Sequence, residues 1–267
     1  MDLQGHRGAR GYLPENTLPG FSRALEIGVN TLELDVGVTR DGVVVVHHDR
    51  GLNPDIARGA DGKWVPKALP INSMTYAELQ RYDVGRLRPG SDYAKGFPHQ
   101  QPLDGTRIPR LAELFALTAQ NKTIRFNIEP KSDADVPQET LAPEPFARAL
   151  IAEVRKARVE KRCTLQAFDW RLLEVAERAA PEIATVYCTE GKGSDPARVH
   201  AAGGRIWSPD FEMVTPERLA AARKWGMKVT VWTVNEPADI ARMLAMGVDG
   251  MASDYPDRVL QQLKAQR

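Results

Sequence analysis

The feature that most constrains the fold of this chain is a repeated pattern in which a helical segment stops at a glycine and a strand follows at once. Three stretches show it: EIGVNTLELDV, KWGMKVTVWTV and AMGVDGMASD. Gly28, Gly226 and Gly247 would each lie just past a helix end, where the left-handed backbone conformation costs glycine little. The pattern therefore predicts repeated helix-to-strand steps along the chain.

Capping residues predict where several of the helices begin. Asp169 precedes WRLLEVAERA, Thr215 precedes PERLAAARKW with proline in the first turn, and Asn235 precedes EPADIARMLA. With the apolar segments between them, they predict about eight strands, at roughly 3–6, 31–36, 123–129, 163–167, 183–188, 205–208, 228–233 and 248–252. Eight such units fit one parallel (β/α)8 TIM barrel over residues 1–267, and a doubly wound open sheet is the alternative.

One region interrupts the alternation of strands and helices. From Asp49 to about Arg107 the sequence is polar and rich in glycine and proline. One short helix is predicted after Thr75, where TYAE has the spacing of a capping box. We interpret residues 50–107 as a small insertion after the second strand that extends over one end of the barrel. A solvated decoration is the alternative.

Two neighbouring strands are predicted to direct three carboxylates to one place. In TLELDVGV, strand alternation places Glu33 and Asp35 on the face opposite Leu34. In TIRFNIEPK, the same alternation directs Glu129 inward from the next strand. Buried acids repel unless a cation or an arginine compensates, so structural salt bridges are one interpretation. The other is a metal site, because three carboxylates are the hard-oxygen ligands that Mg²⁺ and Ca²⁺ prefer.

The segment HRGARGYLPENT is interpreted in two parts. His6 and Arg7 end the first strand, at the mouth where the acids would converge. Residues 14–17 have the sequence of a loop that enters a helix, with Asn16 or Thr17 as the N-cap. The functional interpretation therefore applies only to the head of the segment.

Later strand ends add further candidates for a polar site. Residues 43–46 would form a returning strand that leads into His47, His48 and Asp49, and Asp49 could orient His48. The other polar or aromatic groups at predicted strand ends are Lys131, Gln166, Trp232 and Asp254. These groups share the C-terminal end of the strands, the face on which barrel enzymes hold their active sites.

Charge, hydropathy and cysteine spacing argue against several other classes of protein. The net charge of +1, from 36 basic and 35 acidic residues, gives no reason to expect a nucleic acid as partner. The longest aliphatic run, Val43 to Val46, is far shorter than the roughly 20 apolar residues of a transmembrane segment. Cys163 and Cys188 have no CxxC spacing and indicate neither a zinc site nor a disulfide framework. Nothing in the sequence indicates an oligomeric state.

The motifs, taken in order, resemble the glycerophosphodiester phosphodiesterase family. The segments are HRGARGYLPENT, LELDVGVTRDGVVVVHHD, RIPRLAEL, FNIEPK, LQAFD, VWTVN and GVDGMASDYP. The resemblance implies a TIM-barrel hydrolase that cleaves glycerophosphodiesters, such as glycerophosphocholine, into sn-glycerol 3-phosphate and an alcohol. It also implies that residues 50–107 match the family's own insertion beside the active site. Ala167 in LQAFD stands where the family often has serine, a departure that affects the substrate pose more than the reaction class.

The resemblance also implies a role for each candidate residue. The metal ligands, for one divalent cation, Mg²⁺ or Ca²⁺, are three acids: Glu33, Asp35 and Glu129. The general acid and base are two histidines: His6 and His48. The residues that contact phosphate or line the substrate pocket are Arg7, Lys131, Gln166 and Trp232. The implied reaction is attack of the adjacent glycerol hydroxyl on phosphorus, which gives a cyclic phosphate that water then opens.

Two other functions are open at this point. A lysophospholipase D-like enzyme would act on a lipid and need an apolar groove, which aromatic residues of the insertion could line: Trp64, Tyr76, Tyr82, Tyr93 and Phe97. A noncatalytic barrel that binds a phosphorylated metabolite would need no histidine pair beside the three acids.

The start of the chain bears on its location. The first predicted strand begins within the first few residues, as in a chain from which a signal peptide has been trimmed. By resemblance, bacterial relatives occur in the cytoplasm and, after signal removal, in the periplasm. The early start favours the periplasm.

Overall fold

The computed structural model describes residues 1–265 of the chain. Within these residues the strands are β1 (Asp2–Gly5), β2 (Thr31–Val38), β3 (Val44–Val46), β4 (Gly51–Leu52), β5 (Leu69–Pro70), β6 (Arg125–Pro130), β7 (Cys163–Ala167), β8 (Ala184–Thr189), β9 (Ile206–Pro209), β10 (Lys228–Val231) and β11 (Gly250–Ser253). The α-helices of the same residues are α1 (Leu18–Ile27), α2 (Tyr76–Leu79), α3 (Asp92–Lys95), α4 (Leu111–Leu117), α5 (Pro143–Ala157), α6 (Trp170–Ala179), α7 (Pro196–Ala201), α8 (Pro216–Lys224), α9 (Pro237–Met246) and α10 (Pro256–Ala265). Each of the predicted strands overlaps an observed one.

Strands β1, β2 and β6 to β11 form a closed parallel barrel. The order around the ring is β1, β2, β6, β7, β8, β9, β10 and β11. Strand β1 pairs with both β2 and β11, which closes the ring. An open doubly wound sheet would leave two edge strands, so this closure confirms the predicted TIM barrel and excludes the alternative. No helix in residues 1–265 combines the length and the apolar character needed to cross a membrane.

The outward-facing side of the strands forms the main core with the surrounding helices. Leu32 and Leu34 of β2 and Phe126 of β6 are fully buried in one apolar cluster. Phe126 packs edge-on against Phe115 of α4, with ring centroids 5.0 Å apart. The inward-facing residues of the same strands are left to point into the barrel, which places the polar groups of β2 and β6 there.

Replacing Phe126 by alanine is expected to lower the free energy of unfolding by about 3–5 kcal/mol, because a buried aromatic ring leaves a cavity that the helices cannot fill. Urea denaturation measures the change. Leu117→Ala in α4 is the control, since Leu117 is 40% exposed and its loss should change stability by no more than about 0.5 kcal/mol. Equal losses in the two variants would contradict this description of the core.

Most helix ends follow the predicted signals. Gly28 and Gly247 end α1 and α9 in the left-handed conformation, with φ of +99° and +71°. Gly226 follows the end of α8 with φ of +68°. Asp169 caps α6 and Thr215 caps α8, each accepting a hydrogen bond from a backbone N–H in the first turn. The predicted helix-to-strand steps therefore lie where the glycine pattern indicates.

The prediction that Asn235 caps α9 was wrong. The helix starts at Pro237, after Glu236, which makes no side-chain cap. The Asn235 amide instead donates to Asp254 Oδ2 at 2.7 Å, and its oxygen accepts from the backbone N–H of Asp254 at 2.9 Å. A contact between two strand ends thus replaces the local cap at this residue.

The insertion lies between β3 and α4 and packs around a small apolar cluster of its own. Strand β3 runs antiparallel to the end of β2, with Val36 opposite Val46, and leads the chain into the insertion. Helix α2 begins after Thr75 with the predicted capping box to Glu78. Helix α3 was not predicted, because four residues are too few to show helical periodicity. The cluster contains Leu52, Ile56, Ile71, Leu79, Val84 and Ile108 among others.

Candidate active site

Three carboxylates converge at the C-terminal mouth of the barrel. Glu33 and Asp35 come from β2, and Glu129 lies beside Asp35 in the register of β6. One oxygen of each lies within 4.8 Å of the others. The three residues are 3%, 1% and 8% exposed. The convergence expected from strand alternation is therefore present.

The electrostatics of this cluster favour a bound cation. Burial and the Asp35 charge raise the pKa of Glu33 well above its ordinary value. Lys131, just past β6, offsets part of the charge, with Nζ 2.6 Å from Glu129 Oε1 and 3.7 Å from Asp35 Oδ1. Arg7 Nε lies 3.3 Å from Asp35 Oδ2. Three buried oxygen donors in this arrangement fit a hard divalent cation such as Mg²⁺ or Ca²⁺.

Two histidines at the mouth are each held by an aspartate. His6 directly follows β1, and its Nδ1 lies 2.6 Å from Asp254 Oδ1. His48 follows β3, and its Nδ1 lies 2.6 Å from Asp49 Oδ1, as the sequence predicts. Because a carboxylate only accepts, Nδ1 carries the hydrogen in both pairs, and Nε2 is left to exchange a proton with a ligand. Burial lowers the pKa of His6 to about 4, although the Asp254 charge opposes the shift.

One cavity of about 260 Å³ brings the sequence-predicted residues together. Its lining includes His6, Arg7, Glu33, Asp35, His48, Glu129, Lys131, Gln166 and Trp232. His47 is buried away from this lining, with Nε2 3.3 Å from Gly51 O. Of the two neighbouring histidines, only His48 therefore lines the cavity.

The loop at residues 14–17 contributes more than the predicted helix cap. Thr17 does cap α1, by accepting a hydrogen bond from the Gly20 N–H. Asn16, at φ of +54°, donates through its amide to Asp35 Oδ2 at 2.9 Å. The neighbouring Glu15 is buried and bonds Arg7. The interpretation of this stretch as a simple helix entry was therefore incomplete, because the loop folds back onto the acids.

The side chain of Arg7 is held in place by Glu15 and by the insertion. Arg7 Nη1 donates to Glu15 Oε1 at 2.9 Å and to the Tyr93 hydroxyl at 3.4 Å, and the Tyr93 hydroxyl also bonds Glu15. Among the described residues, Arg7 Nε has no hydrogen-bond partner, although Arg7 is only 9% exposed. The nearest carboxylate oxygen to Nε is Asp35 Oδ2 at 3.3 Å, so the Arg7 guanidinium lies between Glu15 and Asp35 at the edge of the cavity.

Arg10 and Asp254 form a second group, of which the sequence indicated only Asp254, as a polar group at a strand end without a role. Arg10 donates to both oxygens of Asp254, at 2.9 Å and 3.1 Å, and its guanidinium lies 4.5 Å from the centre of the Phe97 ring. Asp254 is thereby shared between Arg10 and His6. The position of Asp254 at a strand end was its signal in the sequence, whereas nothing local pairs it with the first strand.

Gln166 and Trp232 lie in the cavity wall in different ways. Gln166 donates to Glu33 Oε1 at 2.7 Å. Trp232 donates through its ring nitrogen to Ser208 O at 3.1 Å and meets Phe168 edge-on, with centroids 5.3 Å apart. Phe168 is 38% exposed and completes an aromatic side of the mouth. An apolar part of a ligand would contact these two rings. The Gln166 amide, in contrast, already donates a hydrogen bond to Glu33.

Comparison with known proteins gives one consistent result. Residues 6–258 match the model of the glycerophosphoryl diester phosphodiesterase family. A glycerophosphodiester phosphodiesterase of Caldanaerobacter subterraneus is 30% identical over 96% of this chain and 94% of its own length. The solved structure of a Silicibacter pomeroyi protein assigned to the glycerophosphoryl diester phosphodiesterases is 41% identical, with a TM-score of 0.93 over 98% of this chain and 93% of that one. An Oleispira antarctica phosphodiesterase, solved with its product sn-glycerol-3-phosphate, shares the fold at 22% identity, with a TM-score of 0.79 over 99% of this chain and 97% of that one. The chain therefore belongs to the glycerophosphoryl diester phosphodiesterase family.

Proposed function

We propose that this enzyme hydrolyses small glycerophosphodiesters, such as glycerophosphocholine, to sn-glycerol 3-phosphate and an alcohol. The observation that carries the proposal is one cavity that holds three kinds of group. Two histidines, each held by an aspartate, face three buried carboxylates and the positively charged side chains of Arg7 and Lys131. A protein that only binds a phosphorylated ligand would need the positively charged side chains, but it would not need a pair of histidines that exchange protons. The Oleispira antarctica structure, which holds sn-glycerol-3-phosphate on the same fold, supports the choice of product.

We assign the chain's own residues to steps of a displacement at phosphorus from their positions in this cavity. Glu33, Asp35 and Glu129 would hold a divalent cation, which when bound neutralises the charge that develops on the phosphoryl group. Arg7 and Lys131, which both line the cavity, attract the nonbridging phosphate oxygens, Arg7 through its guanidinium charge and Lys131 as a point charge.

His6 and His48 move the protons in this reaction. One histidine takes the proton of the glycerol hydroxyl next to the phosphate, and the other gives a proton to the leaving alkoxide. A bond from that hydroxyl to phosphorus forms while the bond to the alcohol breaks, and water opens the resulting cyclic phosphate. Asp254 and Asp49 hold the Nδ1–H of the two imidazoles, so that Nε2 is the atom that gains and loses the proton.

The contacts of the insertion favour a small substrate over a lipid. Tyr93 and Phe97 contact Arg7 and Arg10 and so cap a charged cluster rather than line an apolar groove. The other aromatic residues of the insertion pack within it or against its arginines: Trp64, Tyr76 and Tyr82. A lysophospholipid chain would find no apolar surface made by these residues beside the charged cavity.

Release of the alcohol from two substrates tests the proposal. With Mg²⁺ or Ca²⁺ present, we expect choline release from glycerophosphocholine at least about tenfold faster than from lysophosphatidylcholine, the smallest ratio that one apolar contact difference typically gives. An enzyme-coupled choline assay measures both, and a glycerol 3-phosphate assay checks the second product. Faster release from the lysolipid would favour the lysophospholipase D-like function, and no release from any glycerophosphodiester would refute the proposal.

Replacing Tyr93 by phenylalanine is expected to raise KM for glycerophosphocholine more than it lowers kcat, because Arg7 loses one of the groups that hold it. We expect kcat/KM to fall by roughly ten- to hundredfold, the equivalent of one hydrogen bond to a charged group. Tyr76→Phe is the matched control, since the Tyr76 hydroxyl also bonds a glutamate, Glu113, at 3.2 Å but lies elsewhere in the insertion. Equal kinetics for the two variants would show that Tyr93 does not act on Arg7.

A further inference from the structure

A chain of hydrogen-bonded side chains crosses the inside of the barrel from Asp2 to Glu33. Gln4 donates to Asp2 Oδ2 at 3.0 Å, and Asn127 donates to Gln4 Oε1 at 3.0 Å. Asn127 also donates to Gln166 Oε1 at 2.7 Å, and Gln166 donates to Glu33 Oε1 at 2.7 Å. The three amides are 5%, 3% and 6% exposed, in the order Gln4, Asn127, Gln166. One end of this amide chain is therefore a member of the carboxylate cluster.

The carboxylates at the two ends fix the direction of the amides between them. An ionised carboxylate, the form in which Glu33 would bind a cation, can only accept, so Gln4 and Gln166 present their NH₂ groups to Asp2 and Glu33. Both glutamine oxygens then face the middle of the barrel, where one double donor satisfies both; the Gln166 oxygen also accepts from the Cys188 thiol, a weaker donor, at 3.8 Å. Asn127 supplies both hydrogens from one nitrogen. A carboxylate or a hydroxyl of similar size could not supply two hydrogens from this position.

A neighbouring hydroxyl holds the Asn127 amide in this orientation. Thr164 Oγ1 lies 2.7 Å from Asn127 Oδ1 and donates to it. The amide of Asn127 therefore makes three hydrogen bonds: its nitrogen donates to Gln4 and Gln166, and its oxygen accepts from Thr164. Because Asn127 cannot turn, Gln166 cannot turn either without exchanging a paired oxygen for an unpaired one.

Glu33 is anchored at both oxygens by this arrangement and by the backbone. Oε1 accepts from Gln166, and Oε2 accepts from the Arg7 N–H at 2.9 Å. Each carboxylate oxygen keeps a further lone pair, and one oxygen of Glu33 lies within 4.8 Å of an oxygen of Asp35 and of Glu129. If the Gln166 amide turned, it would present its oxygen to Glu33, and the two acceptors would repel.

We propose that Asn127 is a positioning residue that, through Gln166, holds Glu33 in the orientation in which it binds the divalent cation. The inference rests on the proposed function, which identifies the ligand as a divalent cation. To the three carboxylates it adds Asn127 and Gln166, which support the site without being metal ligands. Outer partners of metal ligands typically change metal affinity by about 10- to 100-fold. Asn127 does not contact Glu33 itself; it acts on Glu33 through the amide of Gln166, whose orientation it determines.

Calorimetric titration of the metal-free full chain with CaCl₂ and with MgCl₂ tests the inference. Asn127→Leu keeps a similar volume, adds no charge and removes both hydrogens, and we expect its Kd to rise by about 10- to 100-fold. Thr164→Val removes only the hydrogen that orients Asn127, and we expect a rise of roughly threefold to tenfold, about one hydrogen bond. Thr164→Val also decides the question if Asn127→Leu does not fold.

Gln4→Met is the matched control. Gln4 lies on the far side of Asn127 from Glu33, so its loss removes buried hydrogen bonds without freeing Gln166. We expect a lowered thermal midpoint for Gln4→Met, with a metal Kd within about threefold of the parent chain. A parent-like Kd in Asn127→Leu, or in Thr164→Val if that is the folded variant, would overturn the inference while leaving the proposed function in place. If the parent chain itself binds neither Ca²⁺ nor Mg²⁺, the result would refute both the role of Asn127 and the divalent-cation site of the proposed function.

Discussion

Alanine at His6 or at His48 is expected to lower the turnover of glycerophosphocholine by about 10²- to 10⁴-fold, the contribution usually made by one acid-base group. Each histidine is held through Nδ1 by an aspartate at 2.6 Å, so each presents Nε2 in a fixed direction to the same cavity. Loss of either ring removes one of the two proton transfers. The substitution by alanine leaves the three carboxylates and the charged side chains of Arg7 and Lys131 in place.

Steady-state rates of glycerol 3-phosphate release measure this effect. His200→Ala is the matched control, because His200 is an exposed histidine of α7 that stacks on Trp225 and does not line the cavity. Its turnover should equal that of the parent chain. Turnover near the parent value in both the His6 and the His48 variant would refute the proposed acid-base pair.

Removal of the divalent cation is expected to have an effect at least as large. Three buried carboxylates would face the phosphate with only Arg7 and Lys131 to offset them, and a dianionic transition state would be repelled. We expect EDTA-treated and dialysed protein to lose about 10²-fold or more of its activity, and Mg²⁺ or Ca²⁺ to restore it.

A second readout separates binding of the cation from catalysis. A cation that binds the folded chain raises its thermal midpoint by mass action, so the midpoint should rise with the concentration of Ca²⁺ or Mg²⁺. In Glu33→Gln we expect this rise to be reduced, because one of the three carboxylates is neutral. Full activity in EDTA, with no change of midpoint on adding either cation, would show that the three acids do not form a metal site.

Local rules were enough to predict the barrel and the acids inside it. The period of two in TLELDVGV and TIRFNIEPK determines which side chains face inward, and parallel pairing of β2 with β6 then places Asp35 beside Glu129. The glycine at a helix end works in the same way, since the left-handed conformation depends on one residue and its helix.

The rest of the site depends on contacts between distant parts of the chain. His6 meets Asp254 across 248 positions, and Tyr93 meets Glu15 across 78. Asn235 shows how such contacts override a local rule, because its amide bonds Asp254 instead of a helix end. No period or spacing in the sequence encodes these pairs, which follow from barrel closure and from the path of the insertion.

Closure of the barrel between β1 and β11 also determines when the site can exist during synthesis. His6 leaves the ribosome well before Asp254, which orients it and follows 248 positions later. Strand β1 cannot gain its β11 partner before then, and such distant pairing makes folding slow. A nascent chain can therefore carry every carboxylate of the cluster and still lack an oriented His6, so activity should begin only when synthesis has passed the last strand.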